Sequence, residues 1–180
     1  MKTLIVIDMQ NDFVTGPLGT PEARAIVPKI KNKIDFYKKI KTQEVQNVNI
    51  IFTQDTHSKE YGNEKWLIEE SNVPKHCIKH TPGWCIIDEL FPFANKTIEK
   101  DTFGVVNWYP YKMEEGNTDT IQIVGVCTDI CVISNALALR AKYPNIPIIV
   151  DASCCAGTTP EKHKAALEVM KSCCIEVINE

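Results

Sequence analysis

Six short runs rich in β-branched residues recur along the chain, and most of the stretches between them carry helical rather than strand periodicity. The runs are Thr3–Ile7, Val48–Phe52, Lys96–Glu99, Thr120–Val126, Ile146–Val150 and Ile175–Ile178. Thr3–Ile7 is almost continuously apolar, as in a strand buried on both faces. Helices are predicted at about Ala23–Lys41, Asp129–Tyr143 and Pro160–Ser172; the first carries Ile26, Ile30, Ile34 and Tyr37 on one face, and Pro160 suits a first helical position. Strands alternating with helices predict an α/β fold, a three-layer α/β/α sandwich around a central, mainly parallel sheet of about six strands. With no repeat, low-complexity tract or linker, the expectation is one domain over 1–180. An insertion at about 55–92 interrupts it, rich in His, Glu, Pro and Trp and without a long periodic element.

In open sheets of this kind the reactive groups gather beyond the carboxyl ends of the strands, which turns the list of strand ends into a site prediction. Asp8 ends the first strand, Asp55 and His57 follow the second, Lys100 ends the third, and Cys131 opens the helix after the fourth. The segment Gly125–Val132 (GVCTDICV) carries the most chemistry. Thr128 or Asp129 is placed to cap the new helix, and Cys131 falls in its first turn, where the helix dipole favours a thiolate. The other role open to a free cysteine there is that of a small core hydrophobe.

Composition narrows the alternatives. A chain of 180 residues with 44% hydrophobic and 24% charged residues and a net charge of −3 has no electrostatic reason to bind nucleic acid or an anionic membrane surface. No run approaches the roughly 18 apolar residues of a membrane span, and the apolar start is stopped by Asp8, too short for a signal peptide. A cytoplasmic location follows as the expectation. The eight cysteines include the adjacent pairs Cys154–Cys155 and Cys173–Cys174 but no C-x-x-C, so free thiols are expected rather than disulfides or a cysteine zinc site. A thiol-based redox or metal-storage role would leave Asp8 and Lys100 without a purpose.

Five segments in order resemble the isochorismatase-like cysteine hydrolases, and within them the nicotinamidase group. They are Val6–Phe13 (VIDMQNDF), Asp55–His57 (DTH), His76–Trp84 (HCIKHTPGW), Ile98–Phe103 (IEKDTF) and Gly125–Val132. The resemblance spans nearly the whole length and implies a Rossmann-like sheet carrying a catalytic triad of Asp8, Lys100 and Cys131. It also implies a cis peptide bond between Val126 and Cys127, with the backbone of Val126, Cys127 and Cys131 forming an oxyanion hole. The chemistry is coherent: Asp8 takes the thiol proton, Lys100 stabilises the developing charge, and Cys131 attacks an amide carbonyl to give a thioester.

Asp55, His57 and His76 offer one oxygen and two imidazoles, a set that suits a divalent ion, zinc first, with manganese or iron as alternatives. Asp55 and His57, two apart on an extended segment, face the same way. The resemblance implies a further glutamate ligand, for which Glu70 and Glu69 compete, and a metal that binds the pyridine nitrogen of nicotinamide. His80 is a spare ligand or an exposed residue, and Asp12 is unassigned. Phe13, Trp66 and Phe103 are the expected substrate contacts, since aromatic walls suit a flat heteroaromatic amide. The expected partner is thus a small-molecule amide, with no nucleic acid and no membrane; a homo-oligomer is left open. Another small amide or a carbamoyl or ureido compound is the alternative substrate.

Overall fold

The computed structural model describes residues 1–43, 47–60, 73–108, 113 and 118–180. Its centre is a six-stranded sheet in the order β3–β2–β1–β4–β5–β6, with β1 Lys2–Ile7, β2 Val48–Asp55, β3 Thr97–Lys100, β4 Thr120–Val126, β5 Ile148–Ala156 and β6 Glu176–Ile178. Every strand pair is parallel, so the mainly parallel expectation becomes wholly parallel. β1 lies between β2 and β4, which explains its continuous apolarity. Leu4 and Val6 pack into one hydrophobic cluster and Ile5 and Ile7 into the other, on opposite faces of the sheet.

Helix α1 is a single turn, Asn11–Val14, and α2 spans Pro21–Gln43. Ile26, Ile30, Ile34 and Tyr37 of α2 cover the Leu4/Val6 face. The other face is covered by α3 (Ile133–Lys142) and α4 (Pro160–Ser172) through Ala136, Leu139, Ala166, Leu167 and Met170. Thr159 caps α4 by accepting from the Lys162 amide at 3.2 Å, with Pro160 in the first turn as anticipated. Among the described residues no helix is long and apolar enough to cross a membrane.

Three elements differ from expectation for tertiary reasons. β2 runs on to Asp55 because Thr53, Gln54 and Asp55 find partners in β3. β5 continues six residues past Val150, and its polar Asp151 is accommodated by an ion pair to Lys33 and a 2.8 Å bond from the Ser153 hydroxyl. After β4 the chain does not enter an α-helix directly: Thr128–Val132 forms a wide π turn, in which Ile130 and Val132 both donate to the Cys127 carbonyl at 3.0 Å. Gly125 just before it has φ 122, and a Cβ there would meet the Ile7 carbonyl oxygen at 2.1 Å. Glycine is required where β4 passes so close to β1.

Candidate active site

The parallel sheet delivers its functional groups to one edge. Asp8 follows β1 in a left-handed conformation (φ 48) that turns its side chain back over the strand ends. Lys100 closes β3 in register with Asp55 at the end of β2. The Val126–Cys127 peptide bond is cis, and the π turn that follows presents Cys131. All four side chains are buried.

Lys100 is the hub. Its Nζ lies 2.7 Å from Asp8 Oδ2, 3.2 Å from Asp55 Oδ1 and 3.6 Å from Cys131 Sγ. Thr53 supports Asp8 from beneath, its hydroxyl donating to Asp8 Oδ1 at 2.6 Å while accepting from the Asp8 amide at 3.2 Å. Burial pushes the Asp8 carboxyl above its ordinary range, and the charge of Asp55 adds to this; Lys100 offsets only part of it. Lys100 stays firmly protonated, because its anionic neighbours outweigh the burial that would lower its pKa. The Cys131 thiol is pushed well up, by burial first and then by Asp8 and Asp55, with Lys100 pulling the other way.

That corrects the helix-start reading of Cys131. Closeness to the start of a helix favours a thiolate, but burial beside two carboxylates acts against it and pushes the thiol up, with a hydrogen bond to Asp8 adding to the effect. The capping expectation is corrected too. Neither Thr128 nor Asp129 caps the turn; Thr128 pairs with His163 Nδ1 at 2.8 Å and Asp129 with Thr158. Both side chains are drawn to the segment after β5, which the sequence does not place beside them.

Beside Asp8, Lys100 and Cys131, Asp55, His57 and His76 each turn one ligating atom inward, all within 4.8 Å of one another. Asp55 Oδ2 lies 2.9 Å from His57 Nε2 and 3.4 Å from His76 Nε2. The Pro74 carbonyl can only accept, so its 2.8 Å contact places a proton on His76 Nδ1 and turns Nε2 inward to Asp55. Burial acts to raise the Asp55 carboxyl, but hydrogen bonds from the two imidazoles and the Lys100 charge outweigh it and hold Asp55 well below the usual carboxylate range. Burial also works to lower the His76 pKa, yet the bonds to Asp55 and Pro74 raise it, so the site favours positive charge. A permanently ionised oxygen with two inward imidazoles is a donor set that fits a divalent cation. His80 is not in this cluster; it is exposed and meets the Trp84 ring edge-on at 5.5 Å. Glu69, Glu70 and Trp66 lie outside the described residues.

A cavity of about 300 Å³ opens onto both groups, lined by Phe13, Phe103, Val126, Cys127, Ile130 and Cys131 with Asp55 and His76 at one side. Its walls are mostly apolar, and the Phe13 ring stands 5.4 Å from the His76 ring. Phe13 and Phe103 therefore both face it. All eight cysteines are free.

Several supporting residues carry no motif of their own. Buried Gln10 binds Asp55 twice at 2.8 Å, its Oε1 accepting from the Asp55 amide and its Nε2 donating to the Asp55 carbonyl. Asp12 accepts from the Cys77 amide at 2.7 Å, anchoring the residue next to His76. Gly83 is needed opposite it, because a Cβ there would lie 2.2 Å from Asp12 Oδ1. The polar run Gln10–Asp12 after an apolar strand was the available signal for these anchors, and nothing in the sequence marked Thr53.

Residues 2–180 match the isochorismatase domain, and the chain belongs to the isochorismatase family. A Mycobacterium tuberculosis protein named nicotinamidase/pyrazinamidase is 26% identical over 208 residues, covering 99% of this chain and 98% of that protein. The crystal structure of a pyrazinamidase of Pyrococcus horikoshii in complex with zinc matches with a TM-score of 0.78 at 28% identity, over 99% of each chain. An Arabidopsis thaliana protein named probable inactive nicotinamidase is 28% identical over 186 residues, covering 94% of this chain and 87% of that protein.

Proposed function

We propose that this isochorismatase-family hydrolase is a cysteine amidase that converts nicotinamide to nicotinate and ammonia through a thioester on Cys131. The observation that carries the reading is the single Lys100 ammonium held among Asp8, Asp55 and Cys131 at the wall of an apolar cavity. Relatives named for nicotinamide and pyrazinamide hydrolysis support the substrate class.

In this mechanism Cys131 Sγ attacks the amide carbon as its proton passes to Asp8. Lys100 beside both groups offsets the negative charge that the transfer creates on sulfur. The carbonyl oxygen, now an oxyanion, is received by backbone amides at Cys127 and Cys131. On collapse the C–N bond breaks, Asp8 returns its proton to the leaving nitrogen, and ammonia departs from a Cys131 thioester. Water then attacks the thioester carbon while Asp8 takes one of its protons; the C–S bond breaks, the acid is released, and the proton returns to Cys131. A carboxylate whose pKa is raised by burial suits this double duty, since it takes the thiol proton better than an ordinary carboxylate and is still acidic enough to pass it to the leaving nitrogen.

Asp55, His57 and His76 are proposed to hold one divalent ion, zinc first and manganese or iron with the same donors, which when bound supplies an electrophilic anchor for the pyridine nitrogen. Phe13 and Phe103 stack on or flank the ring and exclude water from the acyl centre.

The test is ammonia release from nicotinamide and from a panel of aliphatic amides and ureides, with wild type and Cys131→Ala. Turnover of nicotinamide, reduced by about 10⁴-fold or more in the variant, is expected. Release confined to a non-aromatic amide or a ureide would replace the substrate and keep the nucleophile. No Cys131-dependent turnover would remove the amidase reading.

A further inference from the structure

We propose that Asp129 is a positioning residue that sets the width of the substrate cavity, an inference that rests on the amidase reading and deepens it. Asp129 stands two residues before the nucleophile, where a sequence reading makes it a helix cap. In the fold its carboxylate reaches across to the segment after β5 and takes Thr158 in a two-point clamp, Oδ1 accepting from the Thr158 amide at 2.8 Å and Oδ2 from the Thr158 hydroxyl at 2.6 Å. Hydrogen bonds to a charged acceptor are the stronger kind, and two in parallel fix orientation as well as distance.

The clamp joins two walls of one space. Cys127, Ile130 and Cys131 form the wall that bears the nucleophile, and Ala156, Gly157 and Thr158 form the wall beside it.

 That second wall is built from small residues, and at Gly157 it leaves no room for a side chain. A Cβ on Gly157 would meet Asp129 Oδ1 at 2.9 Å and His163 Cβ at 2.9 Å. Thr128, next to Asp129, adds a second tie through its 2.8 Å contact with His163 Nδ1, and His163 belongs to α4, which continues from the same wall.

Asp129 is not among the residues that face the cavity, whereas Thr158 is. It therefore acts through Thr158 and not on substrate. A flat amide seated between the two walls touches both in the ground state and in the transition state, so their spacing bears directly on binding. An asparagine has one acceptor oxygen where the clamp uses two. The clamp thus explains the acid at this position, which capping does not.

The experiment compares wild type with Asp129→Ala, Thr158→Val and Thr158→Ser. Two readouts are taken: kcat and KM for nicotinamide, and the ratio of Cys131 alkylation rates with N-ethylmaleimide and iodoacetamide, followed by peptide mass. Asp129→Ala and Thr158→Val are expected to raise KM about tenfold with kcat within about threefold, as when a contact shared by ground and transition states is lost. The bulky-to-small alkylation ratio should rise about fivefold in both as the walls part, and Thr158→Ser, which keeps the hydroxyl, should match wild type. An unchanged ratio in folded variants, or a fall in kcat with KM unmoved, overturns the proposal. If Asp129→Ala does not fold, Thr158→Val, which deletes one hydroxyl contact in the same shape, decides. A shifted ratio in a protein without amide turnover would remove the amidase reading and leave the clamp; turnover with an unmoved ratio would remove the clamp alone.

Discussion

Two carboxylates touch the same ammonium, and their acidities move in opposite directions. Asp8 and Asp55 are both buried, and Lys100 Nζ lies 2.7 Å from one and 3.2 Å from the other. At Asp8 burial is the largest influence, and Lys100 with the Thr53 hydroxyl does not overcome it, so the carboxyl is raised. At Asp55 burial acts the same way, but two imidazoles add their hydrogen bonds to the Lys100 charge and the carboxyl is lowered. The difference is the number of donors that accompany each oxygen into the interior. One carboxylate is thereby suited to carry a proton, and its neighbour to remain an anion that holds a cation.

The largest effect that would break this contrast is on turnover. Asp8→Asn keeps the shape and removes the proton carrier, so ammonia release should fall by about 10²–10⁴-fold, the usual weight of general acid–base catalysis, while metal content is retained. Asp55→Asn should do the reverse, weakening metal binding by about a hundredfold or more, read by metal analysis of dialysed protein. Equal metal loss in both variants would erase the distinction.

A comparable effect on stability tests the shared cation. Lys100→Met strands two buried carboxylates, and urea unfolding should show a loss of about 3–5 kcal/mol. A loss under about 1 kcal/mol would mean that Asp8 and Asp55 are not both ionised beside Lys100 in the native protein.

The smallest effect sharpens the comparison through pH. In the proposed mechanism Asp8 must be ionised to accept the Cys131 proton, and its carboxyl is raised from the ordinary 3.8. The acid limb of kcat/KM should therefore fall above that value, activity being lost as pH decreases and Asp8 becomes protonated. A limb at or below 3.8 would assign the proton transfer to another group.

Much of this site was legible from residue order. Asp8, Asp55, Lys100 and Cys131 could be brought to one edge because parallel strands point their carboxyl ends the same way, so a strand list doubles as a map of the site. Phe13 and Phe103 were legible as neighbours of those ends. Asp129 was not: as a short polar residue before a helix it read as a cap, and only the approach of the segment after β5 offered it stronger partners. Asp151 ended β5 too early for the same reason, since its Lys33 partner lies far away in sequence on α2. Gln10 and Thr53 had no pattern at all, because a residue that serves by holding another's backbone or carboxylate leaves no period behind.

Local periodicity determined the alternation of strands and helices, the doubly buried β1 and the set of groups at the strand ends. Those follow from side-chain geometry along a few residues, which a chain carries wherever it goes. Protonation was decided only in the assembled fold. Cys131 was expected to favour a thiolate from its place near a helix start, yet the structure buries it beside Asp8 and Asp55, which pushes the thiol up. The field at an atom is a sum over neighbours brought from β1, β2, β3 and the turn after β4, and that sum exists only once the sheet has formed.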